Sequence, residues 1–195
     1  MNEDLNGLIL IGGQSTRMGE DKSAIQYHEK PQVQHLFELL SSSIPETYIS
    51  MRKDQKIDFS NRLITDNLEV KGPLNGLLSA YEAFPFKAWL VLAVDMPFIT
   101  DLTIEELIRE RDMEVMATSL IGLESGLPEP LAAIWELQAL KALKRHHLNG
   151  DEIFPRKFLT ENQIKSVRVK SDKELFNVND KMDFEKAKSI IEQNK

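Results

Sequence analysis

The stretch Leu8-Ile-Leu-Ile-Gly-Gly-Gln-Ser-Thr-Arg-Met-Gly-Glu-Asp-Lys22 decides how this chain reads. Leu8 to Ile11 are all aliphatic and predict a short buried strand, which Gly12 and Gly13 end. A polar loop follows, with Arg17 and Lys22 as its cations. Glycine lets a backbone approach a ligand without a Cβ in the way. A loop of backbone N–H groups that leaves a strand and carries cations suits phosphate. Gly12-Gly13 alone reads as well as a tight turn with solvated charges. The whole spacing from Leu10 to Lys22 favours phosphate.

Two familiar phosphate loops are excluded by position. A P-loop needs Gly, four residues, then Gly-Lys-Ser/Thr. Counting from Gly13 places Met18 where the second glycine belongs, and Lys22-Ser23 follows Asp21. A dinucleotide fingerprint needs G-x-G-x-x-G, which Gly12, Gly13 and Gly19 do not supply.

A chain of 195 residues reads as one domain, 1–195, with enough length for a sizeable core. The formal charge of −7 disfavours a general nucleic-acid binder, so a nucleotide here needs local cations or a metal ion. With no cysteine, disulfides, thiolate chemistry and iron–sulfur clusters are excluded. Met1-Asn-Glu-Asp4 lacks the basic start of a signal peptide. The apolar run Ala88 to Val94 is too short to span a membrane, so a cytoplasmic location is expected, with no membrane partner.

Along the chain, strands and helices alternate. Pro31 opens a helix with Val33, Leu36, Phe37 and Leu40 on one face, and His35 beside that face reads as a structural histidine. Thr47 to Met51 and Arg62 to Thr65 read as strands. Gly72-Pro-Leu-Asn-Gly76 reads as a defined turn before a helix at Leu77 to Phe84. Ala88 to Val94 is the central strand, apolar on both faces. Thr103-Ile-Glu-Glu106 has the form of a capping box. Glu114 to Ser119 predicts a strand, Ile121 to Pro130 a long substrate loop, and Leu131 to Trp135 a further strand. Leu137 to Leu148 predicts a helix whose Lys144, Arg145, His146 and His147 suit its negative end. A short helix at Asp151 to Thr160, a strand around Val167 and Val169, and a helix from Met182 to Ile191 complete the chain. This order predicts a three-layer α/β/α fold with a mainly parallel sheet.

Ligands of such sheets sit at the carboxyl ends of the strands. The glycine loop, Asp66 and Asp95 each follow a predicted strand and gather at that edge. An isolated aspartate such as Asp66 is ordinarily a cap or turn former. Asp95 comes directly after seven apolar residues, where a charge must be solvated, paired or on a metal.

The loop, as L-x-G-G-x-S-x-R-M-G-x-D-K, resembles the signature of the Rossmann-like nucleotidyltransferases, and most of all the molybdenum cofactor guanylyltransferases of the MobA type. Lys30-Pro31 with Gln34-His35 is similar to that family's K-P-L-x-Q-H, and the likeness runs from residue 8 to about 180. It implies transfer of GMP from GTP to molybdopterin, the organic part of the molybdenum cofactor, with release of pyrophosphate. It implies Mg2+ bound by Asp95 in Val94-Asp95-Met96-Pro97, and phosphate neutralisation by Lys22 and Arg17. It implies nucleotide contacts from Leu10, Ile11, Gly12, Gly13, Lys22, Asp66 and Asp95. Gly72 to Gly76 is similar to G-P-L-A-G of the guanine pocket. Pro130-Leu131 and Asn177-Val-Asn179 are similar to positions on the molybdopterin side. Protein partners implied are a molybdenum-insertion protein or a target molybdoenzyme. The chain departs from the family at Ile49-Ser50-Met51-Arg52, where an asparagine is common, and at Glu129, an acid where a neutral or basic residue suits an anionic pterin. Alternatives of other kinds are a cytidylyltransferase, a transferase with another phosphorylated acceptor, and a GTP-binding protein without catalysis.

Overall fold

The computed structural model describes residues 3–12, 25–55, 57, 59 and 62–193. Its strands are β1 (Leu5–Leu10), β2 (Thr47–Met51), β3 (Leu63–Thr65), β4 (Ala88–Ala93), β5 (Ala117–Ile121), β6 (Pro128–Trp135) and β7 (Ile164–Arg168). They form one seven-stranded sheet in the order β3-β2-β1-β4-β6-β5-β7. β1 pairs parallel with β2 and β4, β2 with β3, and β5 with β7. β6 alone runs against its neighbours β4 and β5. The fold is thus the expected three-layer α/β/α type with a mostly parallel sheet.

The helices are α1 (Gln32–Ser43), α2 (Pro73–Ala83), α3 (Asp101–Arg109), α4 (Leu137–Leu148), α5 (Pro155–Glu161) and α6 (Lys181–Gln193). Alternation along β1 sorts them onto two faces. Leu5, Ile9 and Ile11 pack with Val33, Leu36 and Leu40 of α1 and with Ile104 and Leu107 of α3. Leu8 and Leu10 pack with Leu74, Leu77 and Leu78 of α2, and with residues of α4 and α5. Successive strand residues point to opposite faces, so a strand covered on both sides must be apolar throughout. Each Leu or Ile so buried contributes roughly 1.5–3 kcal/mol. A third cluster joins Ile25, Tyr27 and Val178 to Ala187 of α6. None of the described helices is long and apolar enough to cross a membrane.

Local differences from the sequence expectations have physical causes. α3 begins at Asp101, and its cap is Thr100, whose side chain accepts from the Thr103 backbone N–H. Thr103 is therefore inside the helix, and its hydroxyl donates to Glu174 at 2.8 Å. A genuine capping box lies instead at Ser171 and Glu174. α5 starts only at Pro155, since a proline is tolerated in the first turn and breaks a helix interior. The strand expected at Glu114 to Ser119 runs Ala117–Ile121. The long loop Ile121 to Pro130 is mostly hairpin: β5 reaches Ile121, β6 starts at Pro128, and Gly126 turns with φ 62°.

The strand order turns back between β1 and β4. The chain builds outward through β2 and β3, then crosses to β4 on the other side of β1. In open α/β sheets this point, at the carboxyl edge, is where ligands bind.

Candidate active site

Gly12, Asp66 and Asp95 follow β1, β3 and β4, so the three meet at one sheet edge, as expected. Gly13, Arg17 and Lys22 lie outside the described residues. A cleft of about 480 Å3 opens at this edge, lined by Gly12, Arg52, Asp66, Val70, Lys71, Gly72 and Asn75.

Asp66 extends the β3 ladder, its N–H donating to Met51 O at 2.8 Å. Its carboxylate accepts the Ser50 hydroxyl, and its Oδ2 lies 3.1 Å from where a Cβ on Gly12 would stand. Burial raises the carboxyl pKa above its usual value, while the Ser50 hydrogen bond and the Arg52 charge lower it. Leu10 and Ile11 have their backbones engaged: Leu10 O accepts from Val94 N, Ile11 N donates to Ser50 O, and Ile11 O accepts from the Gln55 amide at 3.3 Å. These bonds fix the strand end from which Gly12 enters the cleft.

Gly72 to Gly76 forms the first turn of α2, not a turn before it. Gly72 caps the helix at φ 74° and ψ −160°, a conformation open essentially to glycine alone, and Pro73 follows at the first helical position. The positive end of the α2 dipole therefore faces the cleft. Asn75, where the family has alanine, staples the preceding loop to the helix. Its Nδ2 donates to Leu68 O at 2.7 Å and its Oδ1 accepts from Leu68 N at 3.1 Å. Gly76 lets α2 touch the sheet, since a Cβ there would stand 2.3 Å from Ser50 Oγ.

On the other side, Asp95 ends a strand buried along its length and is itself half-buried. Its carbonyl accepts from Val178 N at 2.9 Å, which brings Asn177-Val-Asn179 to the same edge. Burial, then the charges of Asp95 and Asp183, push the Tyr27 phenol above its ordinary range. Asp95 and Asp183 are thus both close enough to act on the Tyr27 phenol. Magnesium is ordinarily held by one or two carboxylates plus substrate phosphates and waters. The donors here fit that chemistry, and among the described residues no three His, Asp or Glu form an all-protein cage.

Glu129 is 7% exposed and paired with Arg156 at 2.7 Å. Its other oxygen accepts from Leu131 N at 3.1 Å. The acid before Pro130 is therefore neutralised within the fold. His35 is structural as expected: it stacks on His28 at 3.8 Å, and burial, reinforced by His28 and Lys30, pushes its pKa down to about 4. Sequence reasoning missed Ser50, Asn75 and Arg156. Ser50 lies inside a segment where this chain departs from the family, and Asn75 stands where G-P-L-A-G has alanine.

Residues 7–167 match the MobA-like NTP transferase domain. This chain belongs to that family. As a MobA-like nucleotidyltransferase it has relatives of matching name. It is 33% identical over 140 residues to the molybdenum cofactor biosynthesis bifunctional protein of Synechocystis sp., covering 70% of this chain and 40% of that protein. The chain thus spans less than half of that relative's length. It is 25% identical to the molybdenum cofactor guanylyltransferase of Pseudomonas entomophila over 180 residues, 88% of this chain and 92% of that one. The crystal structure of molybdopterin-guanine dinucleotide biosynthesis protein A from Archaeoglobus fulgidus superposes with a TM-score of 0.76, at 22% identity, covering 96% and 99% of the two chains.

Proposed function

We propose that this MobA-like transferase moves GMP from GTP to the terminal phosphate of molybdenum-bound molybdopterin, forming the guanine dinucleotide cofactor in the cytoplasm. The observation that carries the reading is the position of Asp66 and Asp95 on either side of the β1 strand end, at the point where strand order reverses. One cleft is then lined for a base, and the other side is acidic enough for a cation among phosphates.

An oxygen of the acceptor's terminal phosphate attacks the α-phosphorus of GTP. The bond from that phosphorus to the bridging oxygen breaks, and pyrophosphate leaves with its electron pair. The nucleophile is already an anion, so the main work is positioning and charge neutralisation. Lys22 and Arg17 neutralise the phosphates, and the Gly12-Gly13 backbone positions the nucleotide from the strand end that Leu10 and Ile11 anchor. Asp66 holds the base: guanine presents two adjacent N–H donors to a carboxylate, whereas cytosine presents a donor beside an acceptor. Asp95 would hold a divalent ion such as Mg2+, which would supply Lewis-acid stabilisation of the developing charge. Asn177 and Asn179, beside Asp95, face the acceptor side together with Pro130 and Leu131.

A thermal-shift screen against GTP, CTP, ATP and UTP with magnesium tests the nucleotide. A ligand at ~100 times its dissociation constant adds roughly 2.7 kcal/mol. GTP is expected to stabilise most. Equal or greater stabilisation by CTP overturns the guanine reading in favour of a cytidylyltransferase. Pyrophosphate release with GTP and molybdopterin then separates an enzyme from a protein that only binds.

A further inference from the structure

Gln32 is the first residue of α1 and is 0% exposed. Its neighbours Val33 and Leu36 belong to the apolar core. Its backbone N–H donates to Ile25 O at 2.8 Å. Its side-chain Nε2 donates to Met96 O at 3.3 Å. Its Oε1 is buried with no hydrogen-bond partner among the described residues. An unsatisfied buried amide oxygen costs stability. Methionine has nearly the same length and would remove that cost while keeping the packing. The glutamine therefore makes sense by what its amide holds. That is the carbonyl of the residue directly after Asp95.

Two further contacts grip the same turn. His28 Nε2 lies 3.4 Å from Pro97 O, and Val178 N donates to Asp95 O at 2.9 Å. The carbonyls of Asp95, Met96 and Pro97 are thus each held from another part of the chain. Two of the three contacts come from residues 25–32, the stretch that resumes after the glycine loop.

We propose that Gln32 is a positioning residue. It fixes the Asp95-Met96-Pro97 turn against the exit of the glycine loop, so that the Asp95 carboxylate is set for a divalent ion shared with the nucleotide phosphates. The inference rests on the assignment of Asp95 to that ion.

The test uses the full chain, GTP and Mn2+ as the metal probe. Gln32→Met is compared with Val33→Ala, a cut in the adjacent core residue. Melting without ligand reads the fold, and the Mn2+ concentration for half-maximal GTP-dependent stabilisation reads the metal site. Gln32→Met should melt at or above the unaltered protein and need roughly tenfold more Mn2+, as expected on losing an outer support of a metal ligand. Val33→Ala should melt lower with an unchanged Mn2+ requirement. An unchanged requirement in folded Gln32→Met overturns the proposal, as does an equal shift in Val33→Ala. Loss of the fold in both Gln32→Met and Gln32→Leu would show a packing role and also overturn it. No Mn2+ effect in the unaltered protein would instead remove the metal assignment itself.

Discussion

Ser50 donates its hydroxyl to Asp66 Oδ1 at 2.5 Å, joining the ends of two neighbouring strands beside the cleft. The bond orients a carboxylate that the fold otherwise disfavours. Burial raises its pKa from 3.8, and neither Ser50 nor Arg52 cancels that.

A folded-state pKa above the unfolded one means the native protein binds the proton more tightly. Stability then falls as pH rises from the unfolded value through the folded one, and the loss persists at neutral pH. Asp66→Asn keeps the acceptor for Ser50 and removes the buried charge. It is expected to be more stable than the parent at pH 7, by an amount that shrinks as pH falls toward about 4. Its stabilisation by GTP should weaken. Urea unfolding at both pH values checks this, and a less stable variant at pH 7 contradicts it.

Gly72 and Gly76 both resist substitution, for different reasons. At Gly76 an alanine Cβ would lie 2.3 Å from Ser50 Oγ and 2.7 Å from Leu10 Cδ2. Overpacking of this kind costs about 1–3 kcal/mol. At Gly72 nothing lies within 4 Å, and the obstacle is the backbone at φ 74°. That strain also costs about 1–3 kcal/mol. Adding Ser50→Ala should recover part of the Gly76→Ala loss and none of the Gly72→Ala loss. Denaturation midpoints of the two double variants decide between crowding and strain.

Arg111 is a buried cation, its side chain 4% exposed, bonded to Glu136 at 2.7 Å and to Asp4 at 2.8 Å. Removing one member of a buried pair leaves an uncompensated charge and costs about 3–5 kcal/mol. Arg111→Met should lose stability on that scale, and Arg111→Met with Glu136→Gln should lose less. The hydrogen bond from Arg111 lowers the Asp4 pKa. Its contribution is present above the unfolded value and is lost as pH falls through the folded one. The parent should therefore lose more stability than Arg111→Met on acidification below about pH 4.

These residues mark where the sequence stopped being readable. The apolar run of β4 and the spacing in α1 announced themselves, because burial on both faces or on one stripe leaves a local pattern. Gly12, Asp66 and Asp95 became a candidate site through one further rule, that strand ends gather ligands. Arg111 meets Asp4 across 107 positions, and Arg156 meets Glu129 across 27. No local spacing encodes such pairs. Thr103 had the form of a cap, but Thr100 caps α3 and Glu174 claims the Thr103 hydroxyl. Ser50 drew notice only as a departure, since its partner Asp66 lies on the next strand.

Asp95→Asn is the sharpest test of the assigned chemistry. Asparagine is nearly isosteric, and the bond from Val178 N goes to the Asp95 backbone carbonyl, which the substitution leaves in place. The variant should therefore fold, with a melting temperature close to the parent's. It keeps one carbonyl oxygen but loses the negative charge that a hard divalent cation prefers. Losing about 4 kcal/mol of transition-state stabilisation slows turnover roughly a thousandfold, since ~1.4 kcal/mol is tenfold in rate. GTP affinity should fall much less, because the proposed contacts from Asp66, the backbone at Gly12 and the loop cations are left in place. Guanylyl transfer is measured at saturating GTP and magnesium, beside a melting curve. Near-normal turnover would reduce Asp95 to a strand-end cap and move the metal site elsewhere.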